Sequence, residues 1–105
     1  MDKNEAIKIA KKYIDSVNKR YKIENVILFG SFAKGTYHAD SDIDLAIVFN
    51  SLEDAIDMQI ELMKMRSDDF LMIEPHPFSL SDFQPSNPVV FEILKNGIEI
   101  KKSAA

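Results

Sequence analysis

The sequence contains no cysteine. Disulfide frameworks, thiolate zinc sites and cysteine nucleophiles are excluded together, and nothing points to an oxidising compartment. Long apolar runs are missing too. None approaches the roughly 20 residues that span a bilayer, and the opening MDKNEAIKIAKK lacks the apolar centre of a signal peptide. There is no excess of basic charge: Lys plus Arg number 13 against 17 Asp plus Glu, a net charge of −4. That balance argues against coating nucleic-acid phosphate and leaves room only for a local basic patch. Repeats, low-complexity tracts and Gly/Pro/Ser-rich linkers are absent. What is present is 105 residues, 46% hydrophobic and 29% charged. This is enough for one domain, residues 1–105, and too apolar for a disordered chain. The expectation is a single soluble, cytoplasmic domain without membrane attachment.

Ile7, Ala10, Ile14, Val17 and Tyr21 recur at steps of three and four with lysines between them, predicting an amphipathic first helix. Asp2 and Glu5 resemble a capping box at its start. The apolar run 25–29, ending at Gly30, is too short for a helix and rich in β-formers; it predicts a buried strand. Residues 42–49 predict a second strand with Ile43, Leu45, Ile47 and Phe49 on one face. Ser51 then reads as the cap of a helix that buries Leu52, Ala55, Ile56, Ile60 and Met63. Residues 70–73 predict a third strand, stopped by Pro75 and Pro77. Asn87 and Pro88 open a helix that ends before Gly97, and 98–101 alternate as a last short strand. The order α-β-(short α)-β-α-β-α-β implies an α/β (α+β) domain with one small mixed sheet packed against helices.

The chemistry-bearing residues lie between the first two strands. Gly30 and Ser31 follow a predicted strand and precede a predicted turn of helix, the arrangement that cradles phosphate. Backbone N–H groups aim at the anion, glycine lets it approach, and the serine hydroxyl adds a donor. A Walker A loop is rejected: Gly30 and Gly35 are correctly separated, but Thr36 and Tyr37 stand where Lys and Ser/Thr are required. A dinucleotide fingerprint also fails for want of a third glycine. Lys34 is close enough to the cradle to balance triphosphate charge, although a solvated lysine is the simpler reading.

Asp42 and Asp44 are alternate residues of a strand and share a face, with Cα atoms roughly 6.5–7 Å apart. Like charges side by side are unfavourable unless a cation lies between them, and hard oxygen donors suit Mg²⁺ or Mn²⁺. A third carboxylate belongs on a neighbouring strand, and Glu74 is the acid that fits. Cradle plus carboxylates predicts a two-metal phosphoryl or nucleotidyl transfer site.

The spacing Gly30-Ser31, ten residues, Asp42-Ile43-Asp44-Leu45 resembles the signature of the polymerase-β-type nucleotidyltransferase superfamily. The wider strings 28–35 and 41–47 are similar to its minimal members, the stand-alone MNT domains that accompany HEPN-domain proteins. The resemblance implies ATP as substrate and two Mg²⁺ ions held by Asp42, Asp44 and Glu74. It implies that Gly30 and Ser31 hold the triphosphate, and the position of Lys34 adds it to the candidate nucleotide-binding residues. The third acid, usually Asp in the family and here Glu74, would activate the acceptor hydroxyl.

Simpler readings stand beside these. Ser31 can cap the turn as well as bind phosphate, and an acid before proline such as Glu74 is often only solvated. Two histidines without a shared helical spacing are read as surface or loop residues, with His76, two positions past Glu74, able to line the site mouth. Asp68 and Asp69 end a helix and turn, Tyr37 and Asp40 are loop, and the methionines fill core or interface. The resemblance implies an antitoxin that transfers AMP to a tyrosine of a HEPN toxin. One alternative is neutralisation of the toxin by binding alone. Another is transfer to a small-molecule hydroxyl, disfavoured because no second domain remains to shape a pocket. Nucleic acid is not expected as a partner, and self-association is left open.

Overall fold

Residues 1–102 are described by a computed structural model. Helix α1 (Lys3–Asn18) starts at Asp2, whose carboxylate accepts the Glu5 amide at 2.9 Å. Strand β1 (Asn25–Phe29) leads through Gly30 into a single helical turn, α2 (Ser31–Lys34), and then strand β2 (Ile43–Phe49). Helix α3 (Ala55–Lys64), a 3₁₀ turn (Asp68–Phe70), strand β3 (Ile73–Ser79), helix α4 (Pro88–Asn96) and strand β4 (Ile98–Lys102) complete the described chain. The sheet order is β3-β2-β1-β4. Strand β1 is antiparallel to β2 and β4, whereas β2 and β3 are parallel, so the sheet is mixed as expected.

The two faces of the sheet are covered by different helices. Alternation along β1 and β2 puts Val26, Leu28, Ile43, Leu45 and Ile47 in one cluster with α1. The intervening residues Ile27, Ala46 and Val48 pack with Phe83 and with Val90 and Ile93 of α4. Burial on both sides explains why 45–49 is apolar without interruption. Asp44 shares the α4 side with Ala46 and Val48, but lies beyond them toward the start of β2.

Three expectations are corrected. The inward stripe of α1 is Ala6, Ala10, Tyr13, Ile14 and Val17. Tyr21 falls after the helix end, and Tyr13 is drawn in because its hydroxyl donates to the Leu62 carbonyl at 2.6 Å. Helix α3 is capped by Asp54, which accepts the amides of Ile56 and Asp57, and not by Ser51. Its inward residue is Leu62, while Ile56, Ile60 and Met63 are exposed.

The third correction matters most. Residues 68–70 form the 3₁₀ turn, and β3 runs straight through Pro75 and Pro77. The prolines are tolerated because β3 is an edge strand, where a missing N–H costs nothing if it faces away from the neighbour. The Pro75 carbonyl accepts from Gln59 Nε2 at 3.1 Å, a partner on α3 and not on the sheet. Glu74 is therefore inside a strand and not at its end.

Candidate active site

Gly30 follows β1 with φ +78° and serves as the N-cap of α2. No side chain caps that turn among the described residues, so its first amides are left for an external acceptor. Ser31 is the first helical residue and not the cap, which leaves the donor reading of its hydroxyl. A Cβ placed on Gly30 would come within 2.5 Å of Asp44 Oδ2. Glycine here serves two needs at once, the positive φ and the close approach of Asp44.

Register brings the other groups to the same place. Asp44 lies opposite Phe29 on one side and Glu74 on the other, and His76 lies opposite Ala46. Glu74 and His76, alternate residues of β3, share a face. His76 Nε2 is 3.2 Å from Asp44 Oδ1, and its ring packs at 5.1 Å on that of Phe29. Asp44, Glu74 and His76 each offer a ligand atom, all within 4.8 Å of one another. Asp42 is not a member of this group; it is exposed, immediately before β2.

The three gathered groups suit a divalent cation. Their atoms span about the width of one coordination sphere, roughly 4–5 Å, and two carboxylates supply charge to match. Asp42 is the acid two residues upstream of Asp44.

Lys34 is engaged elsewhere. Its ammonium is 2.8 Å from Glu92 Oε1 on α4, and both side chains are half-exposed. Hydrogen bonds from Lys34 and then from Asn96 hold the Glu92 carboxyl below the usual carboxylate range. A groove of about 900 Å³ lies between Leu52, Phe78, Asp82 and Pro88 and does not include Asp44. A smaller hollow of about 200 Å³ is lined by Ile56, Gln59 and His76, so His76 has Asp44 on one side and open surface on the other.

Sequence reasoning allows His76 at the site mouth but not its contact with Asp44. The signal was the spacing Glu74-x-His76, which places both side chains on one strand face. It was hidden once the prolines were read as ending the strand.

A Gly-Ser turn packed on an aspartate of the adjacent strand, with a second acid across the sheet, defines a nucleotidyltransferase core. The chain belongs to the family described as "Polymerase beta, Nucleotidyltransferase", which matches residues 11–104. "Putative protein adenylyltransferase MJ0604" of Methanocaldococcus jannaschii is 42% identical over 43 residues, 39% of this chain and 43% of that protein. The aligned part thus spans less than half of that relative's length. A crystal structure described as "a putative nucleotidyltransferase from Sulfolobus solfataricus" superposes with TM-score 0.71 at 21% identity, over 95% of this chain and 83% of that one. Another, described as "the toxin-antitoxin with AMP-PNP", superposes with TM-score 0.60 at 19% identity, over 90% and 74%. These two likenesses establish the fold. Among the described residues no helix is long and apolar enough to cross a membrane.

Proposed function

We propose that the chain is a protein adenylyltransferase that moves AMP from ATP to a tyrosine hydroxyl of a HEPN-type toxin and thereby acts as its antitoxin. The observation that carries this reading is the contact of the Gly30 turn with Asp44, beside Glu74 and His76. It is supported by the family, by the adenylyltransferase description of the relative and by the toxin–antitoxin description of the fold neighbour.

The triphosphate lies on the amides of α2 and the Ser31 hydroxyl, with Lys34 available if it leaves Glu92. Asp42, Asp44 and Glu74 hold the divalent cations, Mg²⁺ or Mn²⁺. Such ions supply charge neutralisation on the phosphate oxygens. The acceptor oxygen bonds to the α-phosphorus, the bond from that phosphorus to the bridging oxygen breaks, and pyrophosphate leaves with its electron pair. Glu74 takes the hydroxyl proton. The net charge of −4 favours protein over nucleic acid as the acceptor.

Intact mass spectrometry of a HEPN toxin incubated with the chain, ATP and Mg²⁺ tests the reading. One or more adenylate additions on tyrosine are expected, abolished by the Asp42→Asn, Asp44→Asn double variant. A stable complex without mass shift, and full neutralisation of the toxin by that double variant, would replace catalysis with masking.

A further inference from the structure

We propose that His76 Nε2 is a direct ligand of a divalent cation held with Asp44 and Glu74, and that this nitrogen donor biases the site toward Mn²⁺ over Mg²⁺. The inference rests on the reading above only in taking the site to bind a divalent ion.

The two oxygens of Asp44 face different ways. Oδ2 is turned to Gly30, where a Cβ would come within 2.5 Å, and Oδ1 is turned to His76 at 3.2 Å. Asp44 thus has one oxygen toward the phosphate turn and one toward β3. Donors in neighbouring positions around an ion, with bonds of roughly 2.0–2.3 Å at right angles, lie roughly 2.8–3.3 Å apart. The separation of Oδ1 from Nε2 falls in that window. A simple hydrogen bond has the same length, and the nitrogen signal tested below separates the two cases. A ligand atom of Glu74 lies within 4.8 Å of one from Asp44 and one from His76, the third donor such an ion needs.

The imidazole is also held for this task. Its neighbour across the ladder is Ala46, whose methyl leaves the ring room to lean toward Asp44, and Phe29 packs on the ring at 5.1 Å. Mg²⁺ prefers oxygen and gains little by exchanging water for imidazole, whereas first-row transition ions accept nitrogen readily. Two carboxylates alone would not separate the ions in this way.

The test uses the full chain labelled with ¹⁵N-histidine, Mn²⁺ and a non-hydrolysable ATP analogue, read by pulsed EPR. The label restricts the nitrogen signal to His38 and His76, the two histidines of the sequence. Modulation from a directly bound ¹⁵N is expected in the wild type and in His38→Ala, and is expected to vanish in His76→Gln. In competition, the Mg²⁺ concentration that displaces half the Mn²⁺ should fall at least about tenfold in His76→Gln, at the low end for lost metal-site groups. A wild type without ¹⁵N modulation overturns the inference whatever its Mn²⁺ affinity. So does a His76→Gln protein with wild-type competition, which would leave His76 as a group that only orients Asp44. A modulated wild type that adds no adenylate to a toxin upholds the ligand and removes the proposed reaction; adenylate transfer without modulation does the reverse.

Discussion

Gly30 and Asp44 are fitted to each other so closely that a single methyl group on the glycine would collide with Asp44 Oδ2. The Asp44 carboxylate thus lies against the turn after β1 on one side and faces β3 on the other. Gly30→Ala adds that methyl group at φ +78°. The variant should lose about 1–3 kcal/mol of stability from backbone strain and displacement of Asp44. Adenylate transfer should fall by at least about 100-fold. Urea unfolding and the mass-shift assay measure the two losses, and wild-type transfer would mean that Asp44 can move without consequence.

The acids should separate by role. Asp44→Asn and Asp42→Asn should each abolish transfer while the thermal transition is retained, since the first removes a charge gathered with Glu74 and the second alters an exposed side chain of unchanged size. Glu74→Gln should lose most of the rate while affinity for a non-hydrolysable ATP analogue survives, as befits a proton acceptor. Unchanged turnover in Glu74→Gln would move that role to another acid.

Glu92 restrains Lys34, and its removal should be visible in nucleotide binding. Glu92→Gln frees an ammonium now 2.8 Å from a carboxylate oxygen. The variant should bind the ATP analogue about two- to fivefold more tightly at low salt, with the difference shrinking as salt screens the charges. Calorimetric titration at two ionic strengths checks this, and equal affinities at both would remove Lys34 from the nucleotide site.

Tyr13 ties α1 to α3 through the Leu62 carbonyl, and burial pushes its phenol pKa well up, with Arg66 opposing. A raised native pKa means that the contribution is fully present below the unfolded value near 10 and is lost as pH rises beyond it. Tyr13→Phe should cost about 1 kcal/mol at neutral pH, since it removes one hydrogen bond to a carbonyl that still accepts the Met65 amide. Denaturant midpoints from pH 7 to pH 11 should fall above about pH 10 for the wild type and stay flatter for the variant. Parallel curves would deny Tyr13 the alkaline transition.

Local signals were sufficient for the element order, the Gly30-Ser31 turn and the strand that carries Asp44. Each depends on residues near one another in sequence: a 3.6-residue stripe, an apolar run ended by glycine, an alternation of two. The position of β3 was not legible, because a proline ends a strand only when its missing N–H faces a partner. Whether it does depends on strand order, and here the prolines sit on the free edge. The meeting of His76 with Asp44, 32 residues apart, followed from that same parallel register, as did the place of Glu74 beside them. The pairing of Lys34 with Glu92 depended likewise on α4 returning over the sheet. Sequence by itself determined which residues could do the chemistry. Tertiary structure decided which of them meet, because strand order and register are properties of the whole sheet and not of any one segment.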